Sequence, residues 1–125
     1  MSYDLNFWRP GPYLQKTPQK IYEALCKGES VAELASLPID DMIARMHAVF
    51  SDIEPFYLEK TCIELNWQGG EGEGAFQVTW SPQHFRIDCY GLKDQTMNQL
   101  VDIAYEFECS FYDPQVPQLY HATKN

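Results

Sequence analysis

The chain has 125 residues, 45% apolar and 14% aromatic, with 18 acidic side chains against 9 basic ones and a formal net charge of -9. That size and apolar content fit one domain with its own hydrophobic core and exclude a disordered chain. The charge disfavours nucleic acid phosphates and anionic lipid as partners and suits a basic protein, because opposite potentials steer encounter.

In chain order, Tyr3, Leu5 and Phe7 alternate with Asp4, Asn6 and Trp8. A period of two predicts a strand, stopped by Arg9-Pro10-Gly11-Pro12. Thr17 and Pro18 fit the N-cap and first position of a helix, with Ile21, Ala24 and Leu25 on one face and Gly28 closing it. Ser30 to Glu33 fits a capping box and predicts a short helical turn through Leu37. Pro38 begins the clearest helix, where Ile39, Met42, Ile43, Met46, Val49 and Phe50 recur at helical spacing.

Three strands are predicted next. Ile63, Leu65 and Trp67 mark the first, Phe76, Val78 and Trp80 the second, and Phe85, Ile87 and Cys89 the third. Polar residues alternate with these, which indicates an antiparallel sheet covered on one side. Residues 68–74 form a Gly-rich loop, and Ser81-Pro82-Gln83 a tight connector. Met97, Leu100, Val101, Ala104 and Phe107 restore the helical period, with Asp94 in the first turn to complement the helix dipole. Residues 109–112 read as a final strand, and residues 116–125 as a loose tail.

The predicted fold class is α+β, one domain over residues 1–125. It is a two-layer sandwich with a mixed, mostly antiparallel five-stranded sheet and its helices mainly on one face. The strand–helix–strand unit over residues 85–112 predicts a right-handed crossover between parallel strands.

Little points to catalysis. Cys26, Cys62, Cys89 and Cys109 form no C-x-x-C pair and no metal-ligand spacing with histidine. They read as free thiols in apolar stretches, consistent with a reducing compartment. His47, His84 and His121 make no metal-binding pattern, and no cofactor is implied. Cys89 and His84 lie on one strand, about 16 Å apart when extended, too far to act together. The Gly69 to Gly74 loop lacks G-K-[ST], leads into a strand, and carries Glu71 and Glu73, which repel phosphate. It reads as a flexible hairpin connection or as an acidic finger for a basic cleft. Asp40 and Asp41 complement a helix dipole, while Glu64 and Asp88 stand on strands where a carboxylate pair would need a deep cleft. The start, Met1-Ser2-Tyr3-Asp4, has no signal-peptide pattern, and no apolar run spans a membrane, so a cytoplasmic location is expected.

Two segments resemble small bacterial immunity proteins encoded beside polymorphic toxins, including those of contact-dependent growth inhibition systems. One is Ser2-Tyr3-Asp4-Leu5-Asn6-Phe7-Trp8-Arg9. The other is Phe85-Arg86-Ile87-Asp88-Cys89-Tyr90-Gly91 with Cys109-Ser110-Phe111-Tyr112-Asp113-Pro114-Gln115 after the intervening helix. One departure is Glu108, where a helix exit favours Gly. The resemblance implies a cytoplasmic, non-enzymatic inhibitor that binds a toxin domain, often a nuclease with a basic cleft.

The expected contact set is Glu71, Glu73, Asp40, Asp41 and Asp113, with Trp8 as aromatic anchor because it follows the opposite register from Leu5 and Phe7. Trp67 and Trp80 follow the inward register and are assigned to the core. The alternatives are a regulatory or scaffold module, joined as a homodimer through a strand edge, and a small Cys- or carboxylate-dependent hydrolase.

Overall fold

The computed structural model describes residues 2–11 and 16–121. Among these the chain forms eight strands and three helices. They run β1 (Ser2–Pro10), α1 (Pro18–Cys26), β2 (Leu34–Ala35), α2 (Ile39–Val49), β3 (Glu54–Leu58), β4 (Thr61–Gln68), β5 (Ala75–Ser81), β6 (His84–Tyr90), α3 (Asp94–Glu106), β7 (Ser110–Asp113) and β8 (Gln118–Tyr120).

The sheet has eight strands rather than five. Its order is β3-β4-β5-β6-β1-β7-β8, with β2 paired to β1 beside this path. Every pair is antiparallel, so the sheet is not mixed. The reason is β1. It inserts between β6 and β7 and is antiparallel to both. The strands that α3 joins do run in the same direction, but each pairs with β1 instead of with the other.

Alternation along β1 serves two cores. Leu5 and Phe7 enter the main core with Met42, Met46, Leu100, Ile103 and the inward residues of β4 to β6. Trp8 points to the opposite face and joins a second core with Ile21, Leu25, Val31, Leu34 and Tyr112. Thus α2 and α3 cover one face, while α1 and β2 cover part of the other. This partial third layer is a correction to the two-layer expectation. Trp67 and Trp80 pack half-buried against the main core. Trp67 stacks on Phe76 at 5.2 Å and meets the edge of the Phe50 ring.

Caps explain several boundaries. Thr17 accepts a hydrogen bond from the Lys20 amide at 3.4 Å, and Pro18 occupies the first turn of α1. The exit of α3 passes through Glu108 in the left-handed region, at φ 61°. The Arg9 guanidinium donates to the Phe107 carbonyl from Nε (3.0 Å) and Nη2 (2.6 Å), satisfying the end of that helix.

Residues 30–37 form a turn and the short β2, not a helical turn. Gln83, in the β5–β6 turn, accepts from the Val31 amide at 2.8 Å and donates to the carbonyls of Val31 (2.8 Å) and Leu34 (3.2 Å). These long-range partners satisfy backbone groups that a helix would have paired internally. In the expected tail, residues 118–120 form β8, where Tyr120 stacks on Phe111 at 5.5 Å. Residues 122–125 lie outside the described residues.

Trp8 has no exposed surface. Its ring lies 5.4 Å from that of Tyr112. The substitution Trp8→Ala is expected to lower stability by about 3–5 kcal/mol, the usual cost of emptying a buried aromatic site. Urea unfolding of the variant checks this, and an unchanged midpoint would contradict the packing role.

Candidate functional site

The half of the sheet face that α1 leaves uncovered is the outstanding surface. Register defines its layout, because residues directly opposite one another across a sheet share a face. One row runs Phe56, Glu64, Thr79, Arg86, Asn6. The next runs Glu54, Asn66, Gln77, Asp88, Asp4, and a third Gln68, Ala75, Tyr90. Neighbouring positions in a row are about 4.8 Å apart.

A solvated sheet face ordinarily carries loose polar side chains. Here the central ones are half-buried and bonded to each other. Glu64 Oε2 accepts from Asn66 Nδ2 at 3.0 Å and Gln77 Nε2 at 2.9 Å. Arg86 Nε donates to Asp88 Oδ1 at 3.1 Å, and its Nη2 lies 3.7 Å from Asp4 Oδ2. Burial opposes the Arg86 charge, but the Asp88 and Asp4 carboxylates outweigh it and raise its pKa. Asp4 also accepts from Asn6 Nδ2 at 3.0 Å and from the Tyr22 hydroxyl of α1 at 3.3 Å. Burial, then the Asp4 charge, push the Tyr22 phenol upward. The face therefore holds four carboxylates, Asp4, Glu54, Glu64 and Asp88, against the single guanidinium of Arg86. Glu64 and Asp88 stand in neighbouring rows with β5 between them, each committed to its own partners.

At one end of this face lies a cleft of about 430 Å³, lined by Glu54, Asn66, Gln77 and Tyr90, with Asp52, Trp67 and Phe76 at its border and the last two rings packed on Phe50 on the main-core side. Asp52 closes it and accepts from the Trp67 indole N–H at 2.9 Å. At the outer edge, Phe56, Tyr57 and Leu58 of β3 are consecutive and exposed. Pro55 removes one backbone donor from this edge strand, and the register shifts between Phe56 and Tyr57. Both features blunt strand addition, so the edge offers side chains rather than a backbone template.

The residues expected from sequence separate. Glu71 is exposed and shares a shallow depression with Gln68, Ala75 and Tyr90, beside the third row. Glu73 is held by Lys93 Nζ at 3.0 Å. Their loop is built rather than flexible. The Gly69 amide donates to the Gly74 carbonyl at 2.9 Å and the Glu73 amide to the Gly70 carbonyl at 3.0 Å. Gly74 has φ 83°, and a Cβ there would sit 2.4 Å from the Gly91 carbonyl oxygen, so only glycine closes this loop. Asp40 and Asp41 are exposed in the first turn of α2, on the opposite layer from the open face.

Two expectations are corrected. Trp8 is buried beneath α1 and anchors the second core instead of offering a contact, because the face opposite Phe7 is covered at that point. Asp113 is 4% exposed. It accepts from the Tyr3 hydroxyl and, at 3.0 Å, from the Gln115 amide, so it organises the turn after β7. That hydrogen bond leads the causes raising the Tyr3 phenol to about 12. Glu54, Phe56, Gln77 and Tyr90 are members of the face that local pattern does not single out. Polar alternation on β4 to β6 was visible, but the register that aligns it into rows was not.

Two thiols touch residues of the face: the Cys26 sulfur lies 3.8 Å from Arg86 Nη1, and the Cys62 thiol donates to the Glu64 carbonyl at 3.6 Å. Cys26 is exposed, Cys62 half-buried, and Cys89 and Cys109 buried. Burial pushes Cys89 to about 12 and Cys109 to about 11, so both are neutral thiols. Among the described residues no group of three or more His, Cys, Asp or Glu side chains is placed to hold a metal ion. No helix among them is long and apolar enough to cross a membrane. No family model matches the chain, and no curated protein matches it.

His84 is a buried member of the same face. Its Nε2 lies 2.8 Å from Asn6 Oδ1. Burial, then the Arg86 charge, lower its pKa from the ordinary 6.5 to about 4. Above pH 6.5 the ring is neutral in the folded and unfolded chain alike. Between 6.5 and about 4 the unfolded chain takes up a proton that the folded one refuses. Stability therefore falls as pH drops through this window, by up to about 3 kcal/mol. Urea midpoints from pH 7 to 4 are expected to decline less steeply in His84→Gln than in the parent chain; equal slopes would remove His84 as a cause.

Proposed function

We propose that this chain is a cytoplasmic immunity protein that binds a bacterial toxin domain and neutralises it, without chemistry of its own. The observation that carries this reading is the open sheet face. Three of its four carboxylates, Asp4, Glu64 and Asp88, are held by hydrogen bonds before any partner arrives, so little ordering cost for them falls on binding. Its single cation is already matched by two acids, which leaves net negative charge to present.

The partner that complements such a face is basic. A nuclease cleft is of this kind, because it must neutralise backbone phosphates with Lys and Arg. Phe56, Tyr57 and Tyr90 supply large amphipathic or apolar groups at the margins, the residue types that dominate binding energy when a partner covers them. Glu71 extends the acidic area along the third row. Asp40 and Asp41 lie on another layer, so a footprint centred on the open face excludes them.

The test asks first whether the adjacent reading frame encodes a toxin-type domain, and then uses that domain. Co-expression of the chain is expected to restore growth, and calorimetry to show binding that weakens with salt. Joint substitution Glu54→Lys and Glu71→Lys is expected to weaken binding at least about 10-fold, or 1.4 kcal/mol. Asp40→Lys with Asp41→Lys is expected to leave affinity within about two-fold, since charges outside the footprint act only through screened long-range fields. The opposite ranking would move the interface to α2. Absence of both binding and growth rescue would end the immunity reading.

A further inference from the structure

We infer that the cleft at the end of the open face receives an arginine side chain from the protein partner; this deepens the reading above and rests on it. At about 430 Å³ the cleft falls within the size range of ligand sites. Its lining holds carboxylates, carboxamides and aromatic rings, with no Lys, Arg or His. It therefore presents negative charge with no cation of its own.

The acceptors are specific. The Glu54 carboxylate is exposed and makes no hydrogen bond or ion pair among the described residues. The Glu64 carboxylate can only accept, so Asn66 and Gln77 must both present their amide nitrogens to it, at 3.0 and 2.9 Å. This settles the amide orientations by chemistry. The Asn66 carbonyl oxygen takes a further bond from Gln77 Nε2 at 3.3 Å. The Gln77 carbonyl oxygen has no donor among the described residues, and Gln77 lines the cleft. Asp52 borders the cleft while bonded to the Trp67 indole, and the Tyr90 ring stands half exposed at the wall.

A neutral ligand would leave the Glu54 charge unmatched. A lysine ammonium would answer the charge, but it is a compact, strongly hydrated point donor. A guanidinium is planar, weakly hydrated and carries five N–H donors. It can bind a carboxylate through two parallel bonds, reach a carbonyl with another, and lie against an aromatic ring. Glu54, the Gln77 carbonyl and the Tyr90 ring supply those three kinds of contact in one cleft.

The experiment titrates Nα-acetyl-arginine amide into the full-length chain and follows backbone amide NMR shifts, with Nα-acetyl-lysine amide and a tetra-lysine peptide as comparisons. Saturable shifts centred on Asn66, Ala75, Gln77 and Tyr90 are expected, with a dissociation constant of order 1–10 mM. Lysine amide is expected to bind at least about five-fold more weakly, because it forms one directed contact instead of a fork. Glu54→Gln is expected to weaken arginine amide by a similar factor of about five, and Tyr90→Ala to weaken it independently. Equal binding of lysine and arginine amides, or indifference to both substitutions, would overturn the inference. Shifts confined to Thr79, Arg86 and Asp88 would overturn it while leaving the basic-partner reading intact. No shift with any of the three probes would overturn both.

Discussion

The structure depends on the position of β1 between β6 and β7. This strand comes first in the chain yet pairs in the middle of the sheet, with most of the sequence between it and β6 and with α3 between its two neighbours. Its alternation feeds two hydrophobic cores at once. Leu5 and Phe7 sit under α2 and α3, and Trp8 under α1. A one-residue slip would exchange these sets and place Asn6 against the main core, so burial on both faces holds the register firmly. Arg9 adds a tie from the same strand to the end of α3.

That arrangement also creates the open face. The first helix is short and is drawn to the β1–β7 side by Trp8 and Tyr112, to which Ile21 and Leu25 pack. It stops where Tyr22 meets Asp4 and Cys26 meets Arg86. Beyond this boundary no described helix covers β3 to β5 on that face. Their polar residues satisfy one another instead. The result is a preorganised acidic network beside an aromatic margin, which suits recognition of a cationic protein surface better than an arrangement of loose surface acids would.

Much of the fold was legible in local pattern. Period-two stretches located β1, β4, β5 and β6, and the 3.6-residue period located α2 and α3, because the apolar residues of each recur at the spacing of its own backbone. Thr17, Pro18 and Gly28 bounded α1 through backbone chemistry that is the same in any fold. Three elements escaped. Every residue of β3 is exposed, so it has no buried stripe to read. The two-residue β2 and three-residue β8 are too short to show a period. Residues 30–33 carried a real capping-box signal, but Gln83, about fifty positions later, outbid it with its own amide.

The candidate site was legible only in part. Glu71 emerged from the sequence as an exposed acid and lies beside the open face. Trp8 and Asp113 were misplaced, because exposure of a residue facing away from one core depends on whether something else covers that side. Composition, charge and local periodicity by themselves determined that this is an acidic α+β chain and where most of its helices and strands lie. These properties act over a few residues, or by simple summation. Strand order, the second core and the rows of the open face were decided only by tertiary structure. They arise from pairing between residues as far apart as Asn6 and Arg86, and no local pattern encodes which strand will become whose neighbour.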